Sequence, residues 1–168
     1  MAAIIIKRDF TVYSPADRMK KILEETYPSL LASAAAIISA AGRLTCSDIE
    51  NDPTLTAEKI FRETEALYQK EKLVLFPFIA GLLAEGKKSE SCAPFKNVKL
   101  HYTALLTLLQ TLRAQLAIIS AEEKAAAGIV SCMDKFEKNL IELQKSKDEY
   151  LFKPLKSCNG CTTLKIKN

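Results

Sequence analysis

The chain has 168 residues, enough for one domain with a full hydrophobic core and no need of disulfide or metal staples. Its 24 basic and 20 acidic side chains leave a net charge of +4, dispersed along the sequence rather than gathered on one element, which argues against a nucleic-acid-binding domain. No window reaches the roughly 20 apolar residues of a membrane span, and Ile4-Ile5-Ile6 is too short for a signal-peptide core, so neither a membrane nor an export role is expected.

In chain order, residues 1–13 form a short extension, with a weak strand-like pattern over 3–12 as the one competitor to helix. Ser14-Pro15-Ala16-Asp17 then opens a helix: Ser14 is suited to cap, Pro15 to the first turn, and Asp17 to return a bond to the cap. Met19, Ile22, Leu23, Leu30 and Ile37 carry its apolar face to about Ala41, and Gly42 ends it. Pro28 must kink this helix or split it. After a polar loop, Asp52-Pro53 or Thr56 starts a second helix running to about Glu85, with Ile60, Leu67, Val74 and Phe78 as its stripe and Phe61 and Leu75 beside it. Pro77 bends its end and Gly86 closes it. A leucine-rich third helix runs from near Pro94 to Ile119. The fourth opens at Ser120-Ala121-Glu122-Glu123 and reaches about Lys153, where Pro154 discourages continuation. The expectation is an all-α, up-and-down four-helix bundle over residues 1–155, followed by a polar tail, 156–168.

Candidate chemistry is sparse. There is one histidine, His101, no glycine-rich phosphate loop, and no Ser-His-Asp pattern, so an enzyme is not the favoured reading. The cysteines are five, Cys46, Cys92, Cys132, Cys158 and Cys161; an odd count without an export signal implies reduced thiols and a cytoplasmic setting. Cys158 and Cys161 form a CxxC in the tail. That spacing suits half a zinc site, shared by two chains of a homodimer, or a cycling disulfide, but a single CxxC outside a strand–helix setting has little specificity.

The second and fourth helices echo each other. Leu67, Glu71 and Leu75-Phe76-Pro77 in one correspond to Leu143, Lys147 and Leu151-Phe152 in the other, at a constant separation of 76 residues. The segment Leu67-Tyr68-Gln69-Lys70-Glu71-Lys72-Leu73-Val74-Leu75-Phe76-Pro77 resembles the His-x-x-x-Glu-x-x-x-Leu-Phe-Pro motif of hemerythrin-like domains. The nearest branch is the di-iron family implicated in repair of iron–sulfur clusters under nitrosative and oxidative stress. Ala93-Pro94-Phe95 followed by His101, and Glu24-Glu25-Thr26-Tyr27-Pro28, are similar to further segments of that family. The likeness covers roughly residues 18–155 and implies the same bundle fold.

What the resemblance implies for the site is mostly loss. The two helix-borne histidine positions fall on Leu67 and Leu143, and a first-helix histidine falls on or beside Pro28. Glu71 keeps one bridging carboxylate, Lys147 replaces the other, and His101 keeps the third-helix histidine. Asp48 lies near a loop ligand. Glu71, His101 and Asp48 are thus a vestigial metal set, with no cofactor as the first expectation and iron as the alternative. Lys147 is expected to form a buried ion pair with Glu71 in place of metal, unless both lie on a solvated face. His101 is either a leftover ligand or a histidine satisfied by a hydrogen bond. Three readings follow: a degenerate hemerythrin-like regulatory or binding protein with a protein partner; a metal-binding protein with a reduced or rebuilt site that senses or carries iron, oxygen or nitric oxide; and a plain helical interaction module.

Overall fold

The computed structural model describes residues 13–44, 52–89, 93–119, 123–153 and 155, with the backbone alone at 123–125. These form a four-helix, up-and-down bundle. The first rod is α1 (Pro15–Lys21), a π-helical segment (Ile22–Thr26) and α2 (Tyr27–Ala41). The second is α3 (Pro53–Lys70), a second π segment (Glu71–Leu75) and α4 (Phe76–Glu85). The third is α5 (Ala93–Ile118), and the fourth is α6 (Glu123–Lys147) with a third π segment (Asp148–Phe152). Rod one packs chiefly on rods two and four, and rod three on the same two. Rods two and four therefore face each other across one diagonal, and rods one and three across the other.

Local chemistry sets the ends. The Ser14 hydroxyl accepts from the Asp17 amide at 3.1 Å and donates to the Asp17 carboxylate at 2.6 Å. Asp52 caps α3 through the Thr54 amide at 2.8 Å, with Pro53 in the first turn. Rod two ends in a Schellman turn: Gly86 takes φ +63°, and the Lys87 amide donates to the Leu82 carbonyl. Gly42 ends rod one differently, at φ −66°, without the left-handed turn. Beyond Gly86, the Ser89 amide donates to the Leu155 carbonyl at 2.8 Å and ties the end of rod two to the end of rod four.

Helical structure continues through Pro28, with a π segment before it, so the first rod is not split there. Proline lacks an amide proton and its ring crowds the carbonyl four residues back. The π segment absorbs both effects: the residue before the proline, Tyr27, bonds five residues back to Ile22, and the rod continues. Phe76, before Pro77, bonds in the same way to Glu71. Lys153, which precedes Pro154 in the sequence, bonds to Asp148 at 2.9 Å. Widening the turn also changes which side chains face inward. A regular α-helix would bury Val74 together with Ile60 and Leu67; instead Val74 is exposed and Leu75 is buried. Leu67, Glu71 and Leu75 thus share one inward face, as do Leu143, Lys147 and Leu151.

The rest of the core follows heptad-like spacing. Val98, Tyr102, Leu105, Leu109, Leu112 and Leu116 line rod three, and Ile129, Met133, Phe136, Leu140 and Leu143 line rod four. Phe95 closes one end between Phe78 and Phe152, with ring centroids at 6.0 and 5.1 Å. No helix among the described residues is long and apolar enough to cross a membrane.

Gly81 and Gly128 lie inside helices, exposed, with nothing within 4 Å of where a Cβ would stand. Gly81→Ala and Gly128→Ala should each stabilise the bundle by about 0.5–1 kcal/mol, whereas Gly86→Ala should destabilise it through its positive φ. Urea unfolding midpoints of the three variants against wild type check this. A stabilised Gly86→Ala would contradict the turn geometry.

Candidate functional site

Beside the π segments of rods one, two and four, each rod contributes one buried polar or aromatic side chain to a single cluster. Rod one supplies Tyr27, rod two Glu71, rod three Tyr102 and rod four Lys147. Glu71 and Lys147 have no solvent-accessible surface, and the Lys147 ammonium donates to Glu71 Oε1. Lys147 Nζ also stands 4.7 Å from the Tyr102 ring centroid and 5.7 Å from that of Tyr27. Tyr68 packs on Tyr27, with centroids 5.1 Å apart. The charge pair spans one diagonal of the bundle and the two phenols lie on the other.

Burial controls the protonation of these groups. It holds the Lys147 ammonium below its ordinary value of 10.5, against the opposing pull of the Glu71 carboxylate and, more weakly, of Asp148. It pushes both phenols well above 10, and the negative charge of Glu71 pushes them further in the same direction. The Tyr27 hydroxyl lies close enough to Glu71 and Tyr102 to couple with them. Even so, Tyr27 Oη, Tyr102 Oη and Glu71 Oε2 form no hydrogen bond of ordinary geometry among the described residues. Three buried polar atoms of the cluster are therefore without a closed hydrogen bond among the described residues.

The vestigial metal set does not assemble. His101 is mostly buried, but its Nδ1 pairs with Glu63, a residue the sequence reading passed over, not with Glu71. Asp48 and the tail thiols Cys158 and Cys161 lie outside the described residues. Leu67 and Leu143 are buried beside the pair and offer no lone pair to a metal. Among the described residues no group of three or more His, Cys, Asp or Glu side chains could hold a metal ion. The side chains at the centre do not fit the di-iron group that the hemerythrin resemblance implies, because an ammonium already occupies the remaining carboxylate. The first-helix position, expected on or beside Pro28, falls beside it. Pro28 is exposed, and the inward side chain is its neighbour Tyr27.

Two members of the cluster escaped the sequence reading, although the signal was present. Tyr27 begins the series Tyr27, Leu30, Ala34, Ile37, Ala41, and Tyr102 sits in the series Val98, Tyr102, Leu105, Leu109. Both series are spaced by alternating threes and fours, the mark of a core face. Tyr27 and Tyr102 each stand next to a residue more conspicuous as a ligand position, Pro28 and His101. Compared with models of protein families, with characterised proteins and with solved structures, the chain matches none.

Two outcomes follow. Lys147→Met leaves a buried carboxylate unpaired and should cost about 3–5 kcal/mol, while Lys147→Met with Glu71→Gln should cost clearly less. Additive effects in that cycle would remove the pairing. Alkaline pH gives the second. Both phenols keep their protons in the fold above pH 10, whereas the unfolded chain releases them, so the unfolded state binds fewer protons and stability falls as pH rises. Lys147 acts in the opposite direction, since its folded value is the lower one, but its contribution is complete by about pH 10.5. Above that, stability should drop by about 2.7 kcal/mol per pH unit from two tyrosines. In a phenolate absorbance titration, Tyr27 and Tyr102 should ionise only with unfolding. Smooth ionisation of all five tyrosines in the folded protein would contradict their burial.

Proposed function

We propose that this chain is a hemerythrin-like bundle whose centre works without metal, and that it acts as a non-catalytic binding or regulatory protein related to the stress proteins of iron–sulfur repair. The observation that carries the reading is the buried Glu71–Lys147 pair at the two positions where the motif echo places bridging carboxylates. A di-iron centre in a bundle draws inward carboxylates and imidazoles from facing helices. Here one carboxylate is neutralised by an amine on the diagonal rod, and two leucines fill the volume of two imidazoles. Support for the family relation is the Leu-Phe-Pro run at 75–77 and the internal echo across 76 residues. The regulatory role rests on the family relation together with a centre that offers no open coordination position.

Iron content tests the metal-free centre. Protein purified from iron-supplemented cells, and again after anaerobic addition of ferrous iron, should remain folded without stoichiometric iron. About two irons per chain with oxo-bridge absorption would overturn it. The relation to di-iron bundles is tested by restoring ligands: Leu67→His, Leu143→His and Lys147→Glu together should confer ferrous iron binding that wild type lacks. The stress role is tested in cells. Loss of the chain should slow recovery of iron–sulfur enzyme activity after nitric oxide exposure, and unchanged recovery would end that assignment.

A further inference from the structure

We infer that the centre of the bundle is a cage selective for a single alkylammonium ion, and that the side chain of Lys147 is its tethered occupant. The inference rests on the reading of a metal-free centre and specifies what that centre recognises. A cage for an ammonium needs a carboxylate to balance its charge and aromatic faces to replace its hydration. Both are present, and they come from three rods other than the one that carries the lysine. Glu71 Oε1 accepts from Nζ. Tyr102 and Tyr27 present ring faces at 4.7 and 5.7 Å, an arrangement that recognises organic cations wherever it is desolvated. Glu71 Oε2 and the two phenol oxygens are buried and form no hydrogen bond among the described residues.

The composition of the cage also sets its selectivity. A divalent metal needs several oxygen or nitrogen donors in a fixed geometry, and one carboxylate with two protonated phenols is a poor set for it. A monovalent ammonium carries three donors and a single charge, which one carboxylate balances. The surrounding leucines, Leu67, Leu75, Leu143 and Leu151, supply an apolar wall suited to an alkyl chain and not to a hydrated ion.

Lys147→Ala in the full chain removes the occupant and leaves a space shaped like propylammonium. Buried cavities in helical proteins do take up small molecules of matching shape. n-Propylammonium chloride should raise the melting temperature of Lys147→Ala saturably and recover most of what the substitution lost, with no such gain for wild type or for Lys147→Met. 1-Propanol, which has the same shape without charge, should recover far less, and ferrous or manganous ions should recover nothing. Equal rescue by propanol would reduce the site to volume and overturn the cage. Rescue by divalent ions instead of propylammonium would overturn its selectivity, while the absence of iron from wild type would still stand on its own measurement. Should Lys147→Ala fail to fold, the wild-type chain provides the deciding measurement. In protein labelled with nitrogen-15 lysine, Lys147 should give an ammonium signal at neutral pH, slow to exchange with water, displaced by the neighbouring rings, and altered by Tyr102→Leu. A neutral amine at Lys147, or an ammonium signal indifferent to Tyr102→Leu, would overturn the cage.

Discussion

An ammonium and a carboxylate held at the middle of a leucine-lined bundle must satisfy each other, because neither side chain has any solvent-accessible surface. Taking the two charges from water costs several kcal/mol per ion, and only close pairing with further polar contacts offsets it. The features of the central layer follow from that requirement. Lys147 reaches across the diagonal to Glu71, and the aromatic faces of Tyr27 and Tyr102 lie against the same nitrogen. Leucines above and below exclude solvent and thereby strengthen the pair. Its net contribution to stability is small by this reasoning; its contribution to specificity is large. A slip of rod two or rod four by a residue would separate the charges in an apolar interior, so the pair fixes the register of those two rods.

Backbone geometry makes that register attainable. A carboxylate and two leucines spaced by four residues drift around a regular α-helix, since two steps of four overshoot two full turns. The π segments remove the drift and keep Leu67, Glu71 and Leu75 on one inward line, with Leu143, Lys147 and Leu151 on the matching line of rod four. The first rod uses the same device to bring Tyr27 inward and leave Pro28 outside. Proline, which ordinarily interrupts a helix, here stands two residues beyond each π segment, where a bond five residues back is the natural remedy for its missing amide. Pro28, Pro77 and the polar layer are thus aspects of a single construction.

The bundle was legible in the sequence because caps, glycines and apolar spacing all agreed on four helices, and Ser14, Asp52 and Gly86 end their helices as their chemistry suggests. The inward face of rod two was legible only as far as Leu67. From there the regular period points to Val74, and nothing short of the Pro77 signal reveals that one residue is absorbed in a wider turn. The contact of Glu71 with Lys147 could be anticipated from the echo, since equal positions on two related helices face a common axis. The contact of His101 with Glu63 could not. It depends on how rod three rotates against rod two, which no local pattern encodes. Tyr27 and Tyr102 were legible in principle from their apolar stripes and were hidden by more conspicuous neighbours.

A centre of this kind also constrains where activity can reside. A metal with an open position can bind and release a ligand at the heart of a bundle; a tethered amine cannot leave, and its carboxylate is already engaged. On the proposed reading, the interior serves to hold shape, and recognition belongs to the outer faces of the rods. The π segment of rod two contributes to both. The same widened turn that keeps Glu71 and Leu75 inside leaves Leu73 and Val74 exposed to solvent as two adjacent apolar side chains. Interior register and outer surface are therefore coupled at one place. A substitution that relaxed the π segment to a regular helix would withdraw Glu71 from Lys147 and Val74 from the surface in the same motion.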